Sequence, residues 1–167
     1  MKKFLSLSGF VLASLAAGAV GSIFIAGNIG TWYAGLMKPV LTPPGWVFVP
    51  AWITLYTLMG TAAFLVWRAR QERPAFAKVS AGRGECVNCV LVFFFTHLIF
   101  NVLWSIFFFG FHLAFIALID IFILWAMIAA LIFMFWRINR TAALLLVPYL
   151  LWVSFAVYLN FAIFLLN

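Results

Sequence analysis

The chain has 167 residues, of which 68% are hydrophobic and only 8% are charged. Soluble domains carry about 25% charged residues, so this chain lacks the polar groups needed to cover a water-facing surface. The composition excludes an ordinary soluble domain, and continuous apolar runs instead of short alternating segments exclude a membrane β-barrel.

Five apolar stretches are each long enough to cross a bilayer as a helix, which requires about 20 residues. They occupy most of the chain and leave no room for a soluble domain. The sequence therefore predicts an all-α integral membrane protein with one domain over residues 1–167, a bundle of five transmembrane helices. The five predicted spans cover residues 4–27, 46–67, 87–110, 111–136 and 142–166.

Basic residues are divided unequally between the two sides of these spans. Nine of the ten Lys and Arg residues lie at the N-terminus or in the second and fourth connections, and only Lys38 lies on the opposite side. The positive-inside rule then predicts a cytoplasmic N-terminus and a C-terminus outside. This topology accounts for the net charge of +7, so we expect no nucleic-acid partner.

The first span carries small residues at a spacing of four, which lets helix backbones approach closely within lipid. Two interpretations fit this pattern, a contact inside the bundle and a dimer face. The two adjacent rows are Ala13, Ala17 and Gly21, and Ser14, Gly18, Ser22 and Ala26.

Residues 28–45 contain three prolines and three glycines, which prevent one continuous helix. The segment is nevertheless too apolar for a solvated linker. We expect it to fold back over the outer end of the bundle as a lid, with Trp32, Tyr33, Pro43 and Pro44 as lid residues.

Polar and aromatic residues form stripes on the other four spans, because they recur at helical spacing. Unpaired polar groups are costly in a bilayer, so these stripes are expected to face the bundle interior. Two interpretations fit, a pocket for a flat apolar ligand and ordinary core packing. The stripes are Trp52, Tyr56 and Gly60; His97, Asn101, Trp104 and Phe108; Asp120 and Leu124 beside Trp125; and Pro148, Tyr149, Trp152, Ala156, Leu159 and Asn160.

Three of these polar residues, His97, Asp120 and Asn160, are predicted to be buried. His97 is expected to be a hydrogen-bonded core residue, and Asp120 and Asn160 are expected to hydrogen-bond to other helices. These roles are favoured over catalysis for Asp120 and Asn160, and over haem ligation for His97. Cys86 and Cys89 have the spacing of a redox or metal site, but no second pair accompanies them. A structural zinc site needs four ligands, so no metal site is predicted.

Several of these residues together resemble the signatures of the TspO family, the tryptophan-rich sensory or translocator proteins. The resemblance covers nearly the whole chain. It is carried by Gly21, Ser22, Trp32, Tyr33, Leu36, Lys38, Pro39, Pro43, Pro44, Trp46, Phe48, Trp52, Leu55, Tyr56, Asn101, Trp104, Ser105, Phe108, Phe109, Gly110, Asp120, Pro148, Tyr149, Trp152, Phe155, Ala156, Leu159 and Asn160. His97 departs from the glutamine common in the family.

The resemblance implies a five-helix bundle, often a homodimer, with a pocket beneath the first loop. The ligands it implies are protoporphyrin IX and related tetrapyrroles, and isoquinoline carboxamide or benzodiazepine-type drugs; no other cofactor is expected. The basic connection after the second span favours a bacterial protein, and so a location in the cytoplasmic membrane. Residues implied to bind the ligand are Trp46, Trp52, Tyr56, Asn101, Trp104, Ala156 and Leu159, to which the stripes add Trp125 and Trp152.

Three functions are compatible with these residues. The first is a receptor that senses, sequesters or moves porphyrins. The second is an enzyme that degrades porphyrin in light, in which the resemblance implicates Trp52 and Trp152. The third is a structural membrane partner or assembly factor, which the small-residue rows of the first span suggest.

Overall fold

The computed structural model describes residues 2–72 and 87–167, with side chains from residue 5 onward in the first helix. Every regular element in these ranges is a helix. In chain order they are α1 (Lys2–Asn28), the short α2 (Trp32–Gly35), a 3₁₀ turn (Gly45–Val47), α3 (Phe48–Glu72), α4 (Val87–Ser105) with a π-helical extension (Ile106–Gly110), α5 (Ala114–Ile138) and α6 (Arg140–Leu166).

Five of these helices are long and apolar enough to cross a membrane, as the sequence predicted. Their candidate spans contain 24 to 28 residues. At 1.5 Å per residue they are about 36–42 Å long, longer than the roughly 30 Å hydrocarbon core of a bilayer. Each helix is therefore long enough to extend beyond the hydrocarbon core at its ends.

Two helix ends extend beyond the apolar stretches because side chains support the extra turn. Helix α3 continues to Glu72, whose Oε1 accepts a hydrogen bond of 2.7 Å from Arg68 Nε one turn earlier. Helix α6 begins at Arg140, since the Asn139 side chain accepts a bond of 3.1 Å from the Ala142 N–H. Such an N-cap satisfies a backbone donor that has no partner within the helix.

The connection between α4 and α5 is short and tightly bonded. The Phe111 N–H donates to the Ile106 carbonyl at 2.9 Å, closing the π turn, and the Leu113 N–H donates to the Phe107 carbonyl at 2.9 Å. His112 takes a φ of 58°, a left-handed conformation in which non-glycine residues are uncommon. The π turn directs Phe108 and Phe109 into the interior, where both are buried.

The helices form a ring in the order α1, α3, α6, α5, α4, with α4 returning to α1. One end of the bundle, here called the lid end, holds residues 28–45 and the α4–α5 connection. The other, called the basic end, holds Arg68, Arg70, Arg137 and Arg140. Four of the helices, α3 to α6, build the main apolar core, and α1 contributes fewer buried side chains than the others.

Helix α1 approaches its neighbours through small residues. A Cβ added at Gly18 would overlap the Tyr56 ring of α3, and one added at Gly21 would lie 3.0 Å from Ser105 Oγ of α4. Ser14, one turn before Gly18, is fully buried. Residues of both small-residue rows of the first span therefore make contacts within the chain, which favours the first of the two interpretations.

Gly60 of α3 completes this contact, and its substitution is expected to destabilise the bundle. A Cβ at Gly60 would lie 2.5 Å from Val11 Cα and 2.8 Å from the Phe10 carbonyl of α1. Because backbone atoms cannot rotate away, Gly60→Ala should cost about 1–2 kcal/mol. Thermal unfolding in detergent measures this. Gly9→Ala, where a Cβ meets nothing within 4 Å, is the matched control and should not destabilise; equal effects would contradict the close approach.

Candidate functional site

A cavity of about 670 Å³ lies towards the lid end of the bundle, between α1, α3, α4, α6 and the lid segment. Its volume falls within the range of about 300–1,000 Å³ usual for small-molecule sites. Helix α5 contributes no residue to the lining. The helical walls comprise Leu15, Gly18, Ala19, Ser22 and Ile25 of α1; Phe48, Val49, Trp52, Ile53 and Tyr56 of α3; Asn101, Trp104, Ser105, Phe108 and Phe109 of α4 and its extension; and Trp152, Phe155, Ala156, Leu159, Asn160 and Ile163 of α6.

Aromatic rings cover much of this lining. The rings of Trp52 and Trp152 meet edge to face, with centroids 6.5 Å apart and planes at 83°. Trp52 also stacks on Tyr56, with centroids 5.5 Å apart, and Trp104 stacks on Phe108 at the same separation. The helical stripes of α3, α4 and α6 thus meet around one cavity, and they present flat apolar surfaces to it.

A chain of hydrogen bonds crosses the deep side of the cavity. The Tyr56 hydroxyl donates to Asn101 Oδ1, and Asn101 Nδ2 donates to the Tyr149 hydroxyl at 2.9 Å. Tyr149 is fully buried, whereas Tyr56 and Asn101 also line the cavity. Asn101 uses both ends of its amide, so it joins α3 to α6 through α4 and fixes the position of Tyr56 beside the ligand space.

Asn160 makes a second polar link between helices. Its Oδ1 accepts a bond of 3.1 Å from Trp104 Nε1, and its Nδ2 donates to the Ala114 carbonyl at 2.9 Å. This agrees with the expectation that Asn160 is buried and bonds other helices. The bond from Trp104 also sets the plane of that ring against the cavity.

His97 and Asp120 are buried as expected, but they lie outside the cavity lining. The His97 Nδ1 bonds the Phe94 carbonyl one turn earlier in α4 instead of another helix. The His97 Nε2 and Asp120 Oδ2 atoms have no hydrogen-bond partner among the described residues. His97 is therefore a hydrogen-bonded core residue, as predicted, whereas the expected bond from Asp120 to another helix is not found at Oδ2. Within those residues, no group of three or more His, Cys, Asp or Glu is placed to hold a metal ion.

The lid segment packs on the ends of α4 and α6. Trp32 stacks on His112 with ring centroids 4.2 Å apart and lies edge-on to Phe108 at 5.5 Å. The Met37 N–H donates to Asn167 Oδ1 at 3.0 Å, and Asn167 Nδ2 donates to the Met37 carbonyl at 3.1 Å. These contacts hold the segment across the lid end, as predicted from its composition.

Of the four predicted lid residues, Tyr33 and Pro43 line the cavity, whereas Trp32 and Pro44 do not. Tyr33 packs on Phe108 and Phe109. Burial raises the pKa of Tyr33, so its hydroxyl stays protonated at neutral pH. Pro44 directly precedes the 3₁₀ turn that leads into α3.

Two predicted pocket residues, Trp46 and Trp125, lie outside the cavity. Trp46 is 75% exposed, because the 3₁₀ turn before α3 directs it outward between Gly45 and Phe48, which do line the cavity. Trp125 lies on α5 and donates to Ser154 Oγ at 2.8 Å on the outer face. Its neighbour Leu124 is buried, and successive residues of a helix point about 100° apart.

The contribution of α1 to the cavity wall was not predicted from the sequence. Gly18, Ala19 and Ser22 leave room for a ligand because their side chains are small. The small-residue spacing marked this face of α1, but nothing in the spacing indicated a cavity. Of the cysteine pair, Cys86 lies outside the described residues, and Cys89 is exposed near the start of α4.

Comparisons with known proteins agree with this architecture. The sequence model described as the TspO/MBR family matches residues 10–166. The chain is 42% identical over 164 residues to the tryptophan-rich protein TspO of Archaeoglobus fulgidus, covering 98% of this chain and 97% of the relative. It is 36% identical over 155 residues to the human translocator protein, covering 93% and 86%. It is 38% identical over 136 residues to the tryptophan-rich sensory protein of Cereibacter sphaeroides, covering 81% and 77%.

Proposed function

The chain belongs to the TspO/MBR family of integral membrane proteins, and from that premise we propose that it is a receptor for tetrapyrroles. In this proposal the cavity between α1, α3, α4 and α6 binds protoporphyrin IX or a related porphyrin of haem metabolism. Binding there lets the protein sense, sequester or move the porphyrin. The porphyrin is the ligand, and no resident cofactor is required.

The aromatic lining of the cavity is the observation that carries this proposal. Trp52, Trp104 and Trp152 come from three different helices and border one space of about 670 Å³. Large flat rings bind well to aromatic side chains, since stacked and edge-to-face contacts add about 0.5–1.5 kcal/mol beyond area burial. The Tyr56–Asn101 pair supplies polar atoms on the deep side, which suits a flat ring with a few polar edges.

A dark titration of the purified protein with protoporphyrin IX tests the receptor function. The quenching of tryptophan fluorescence reports binding, because three tryptophans line the cavity. We expect saturable quenching that an isoquinoline carboxamide or benzodiazepine-type drug competes away. Detergent micelles without protein provide the blank. Quenching that rises linearly with porphyrin, as in partition into micelles, would contradict the proposal.

The Trp52–Trp152 pair favours one second candidate, a light-dependent porphyrin-degrading enzyme. Both indoles border the cavity with their ring centroids 6.5 Å apart. In this mechanism light excites the bound porphyrin, the tryptophans exchange electrons with it, and dissolved dioxygen oxidises and opens the ring. No acid–base pair is needed.

If the second candidate is right, the double variant Trp52→Phe with Trp152→Phe should form no porphyrin product in light. Phenylalanine keeps an aromatic wall but is much harder to oxidise than indole. Absorption spectra during illumination measure the product. The double variant Trp125→Phe with Trp136→Phe removes two indoles from outside the cavity and should retain the product. Bleaching that proceeds equally in both double variants would reject a role for the pair.

The cellular setting completes the proposal. The proposed location is a bacterial inner membrane with the basic end in the cytoplasm, and the arginines at that end support this orientation through the positive-inside rule. A homodimer stays a prediction from the family resemblance. The assembly-factor alternative was suggested by the small-residue rows of the first span. Those rows no longer favour it, because Gly18 and Gly21 pack against Tyr56 and Ser105 of the same chain.

A further inference from the structure

Among the described residues that line the cavity, Lys38 is the one with a charged side chain. It lies in the lid segment, after α2, and is partly buried. The remaining lining is apolar, aromatic or uncharged polar. A cation at the rim of an apolar cavity is weakly screened, so it attracts a nearby anion more strongly than it would in bulk water.

The positive charge of Lys38 is not neutralised by its neighbours. Its Nζ donates to the carbonyls of Ala34 at 3.1 Å and Leu36 at 3.4 Å, and it lies 4.8 Å from the centre of the Tyr33 ring. An ammonium has three donors, so these two bonds leave one available. Tyr33 offers no negative charge, since burial raises the pKa of its hydroxyl.

Carboxylates are also absent from the cavity lining as the structure describes it. The whole chain has only three acidic residues, Glu72, Glu85 and Asp120. Asp120 lies on α5, which does not border the cavity, and Glu72 lies at the basic end. No described side chain of the lining supplies an anion to Lys38, so an anionic group on the ligand would complete its contacts.

We propose that Lys38 determines specificity by pairing with a carboxylate of the bound tetrapyrrole. This inference rests on the proposed receptor function and narrows its ligand class to porphyrins that carry a free acid. The acid edge of the ligand lies at the lid against Lys38, and the apolar ring lies deeper, against Trp52, Trp104 and Trp152. The ligand is thus held in one orientation by one charged contact.

A pair of ligands and a conservative variant test this pairing. Protoporphyrin IX and its dimethyl ester share one ring, but the ester has no carboxylate. The wild-type protein should bind the diacid roughly tenfold more tightly than the ester, as expected for a charge-assisted hydrogen bond. Lys38→Gln, which keeps a donor for the Ala34 and Leu36 carbonyls, should bind the diacid about as weakly as the ester. Lys38→Arg should retain the preference.

A comparison of the diacid with the ester separates the effect of the Lys38 charge from the effect of the Lys38 side chain on the shape of the lid. If Lys38→Gln weakens both ligands equally, the residue only supports the lid, and the proposed pairing is wrong. Arg140→Gln, which lowers the net charge equally at the basic end, should leave the preference intact. Equal affinity of the wild-type protein for both ligands would overturn the Lys38 proposal and leave the receptor standing, whereas saturable binding of neither would overturn both.

Discussion

Replacing Ala156 by phenylalanine is expected to abolish porphyrin binding while the bundle stays folded. Ala156 borders the cavity on α6, one turn after Trp152 and one turn before Leu159 and Asn160. A phenyl ring at this position enters the space that the ligand would occupy, between the aromatic walls. We expect the affinity to fall at least about a hundredfold, equivalent to roughly 2.7 kcal/mol.

The dark titration measures this loss, and Leu151→Phe is the matched control. Leu151 lies on the same helix, is 66% exposed and does not line the cavity, so added bulk there points away from the ligand. Its affinity should equal that of the wild-type protein. Thermal unfolding in detergent shows whether each variant keeps its fold. An Ala156→Phe protein that is folded and binds normally would place the porphyrin outside this cavity.

The architecture was accessible from the sequence because membrane spans follow from length and hydropathy alone. A helix satisfies its own backbone hydrogen bonds within lipid, so each apolar stretch has one available structure. The stripes on α3, α4 and α6 were equally accessible, since polar groups in lipid must face protein. Trp52, Asn101 and Trp152 were therefore predicted to face inward before any packing was known, and all three border the cavity.

Trp46 and Trp125 show where such reasoning stops. The sequence placed Trp125 inside because it directly follows Leu124, which lies one turn after Asp120, but a rotation of about 100° per residue turns it outward. The direction of the Trp46 side chain depends on the geometry of a 3₁₀ turn, which the sequence does not specify. The sequence predicts which residues share one face of a helix when they are three, four or seven positions apart. It does not do so for adjacent residues or for residues at helix ends.

The wall formed by α1 could not be predicted from the sequence, for a different reason. Gly18 and Ala19 carry no group that indicates a ligand, yet both line the cavity together with residues of α3, α4 and α6. A cavity is a property of packing between helices, whereas a stripe is a property of one helix. Small residues on α1 were compatible with close contact and with open space, and the structure contains both.

Asn101→Leu is expected to produce the largest loss of stability among single substitutions in the polar network. Leucine has nearly the shape of asparagine but leaves the hydroxyls of Tyr56 and Tyr149 without the partners they now have. Leaving a buried polar group unpaired costs about 1–3 kcal/mol, so two such groups should cost about 3 kcal/mol in total. Thermal unfolding of the ligand-free protein in detergent measures the change. Asn88→Leu, at the exposed start of α4, is the control; it removes only a solvent-exposed bond from Arg70 and should cost much less.

The triple variant Tyr56→Phe, Asn101→Leu and Tyr149→Phe separates hydrogen bonding from shape. It removes both hydroxyls together with the amide, so no polar group of the network remains unpaired, and most of the lost stability should return. Hydrogen bonds between membrane helices contribute on average only about 0.6 kcal/mol each, which limits what the complete network adds over an apolar core. If the triple variant is as unstable as Asn101→Leu, the packing of the amide matters more than its bonds. If it recovers stability but binds porphyrin poorly, the network positions Tyr56 for the ligand and is not required for folding.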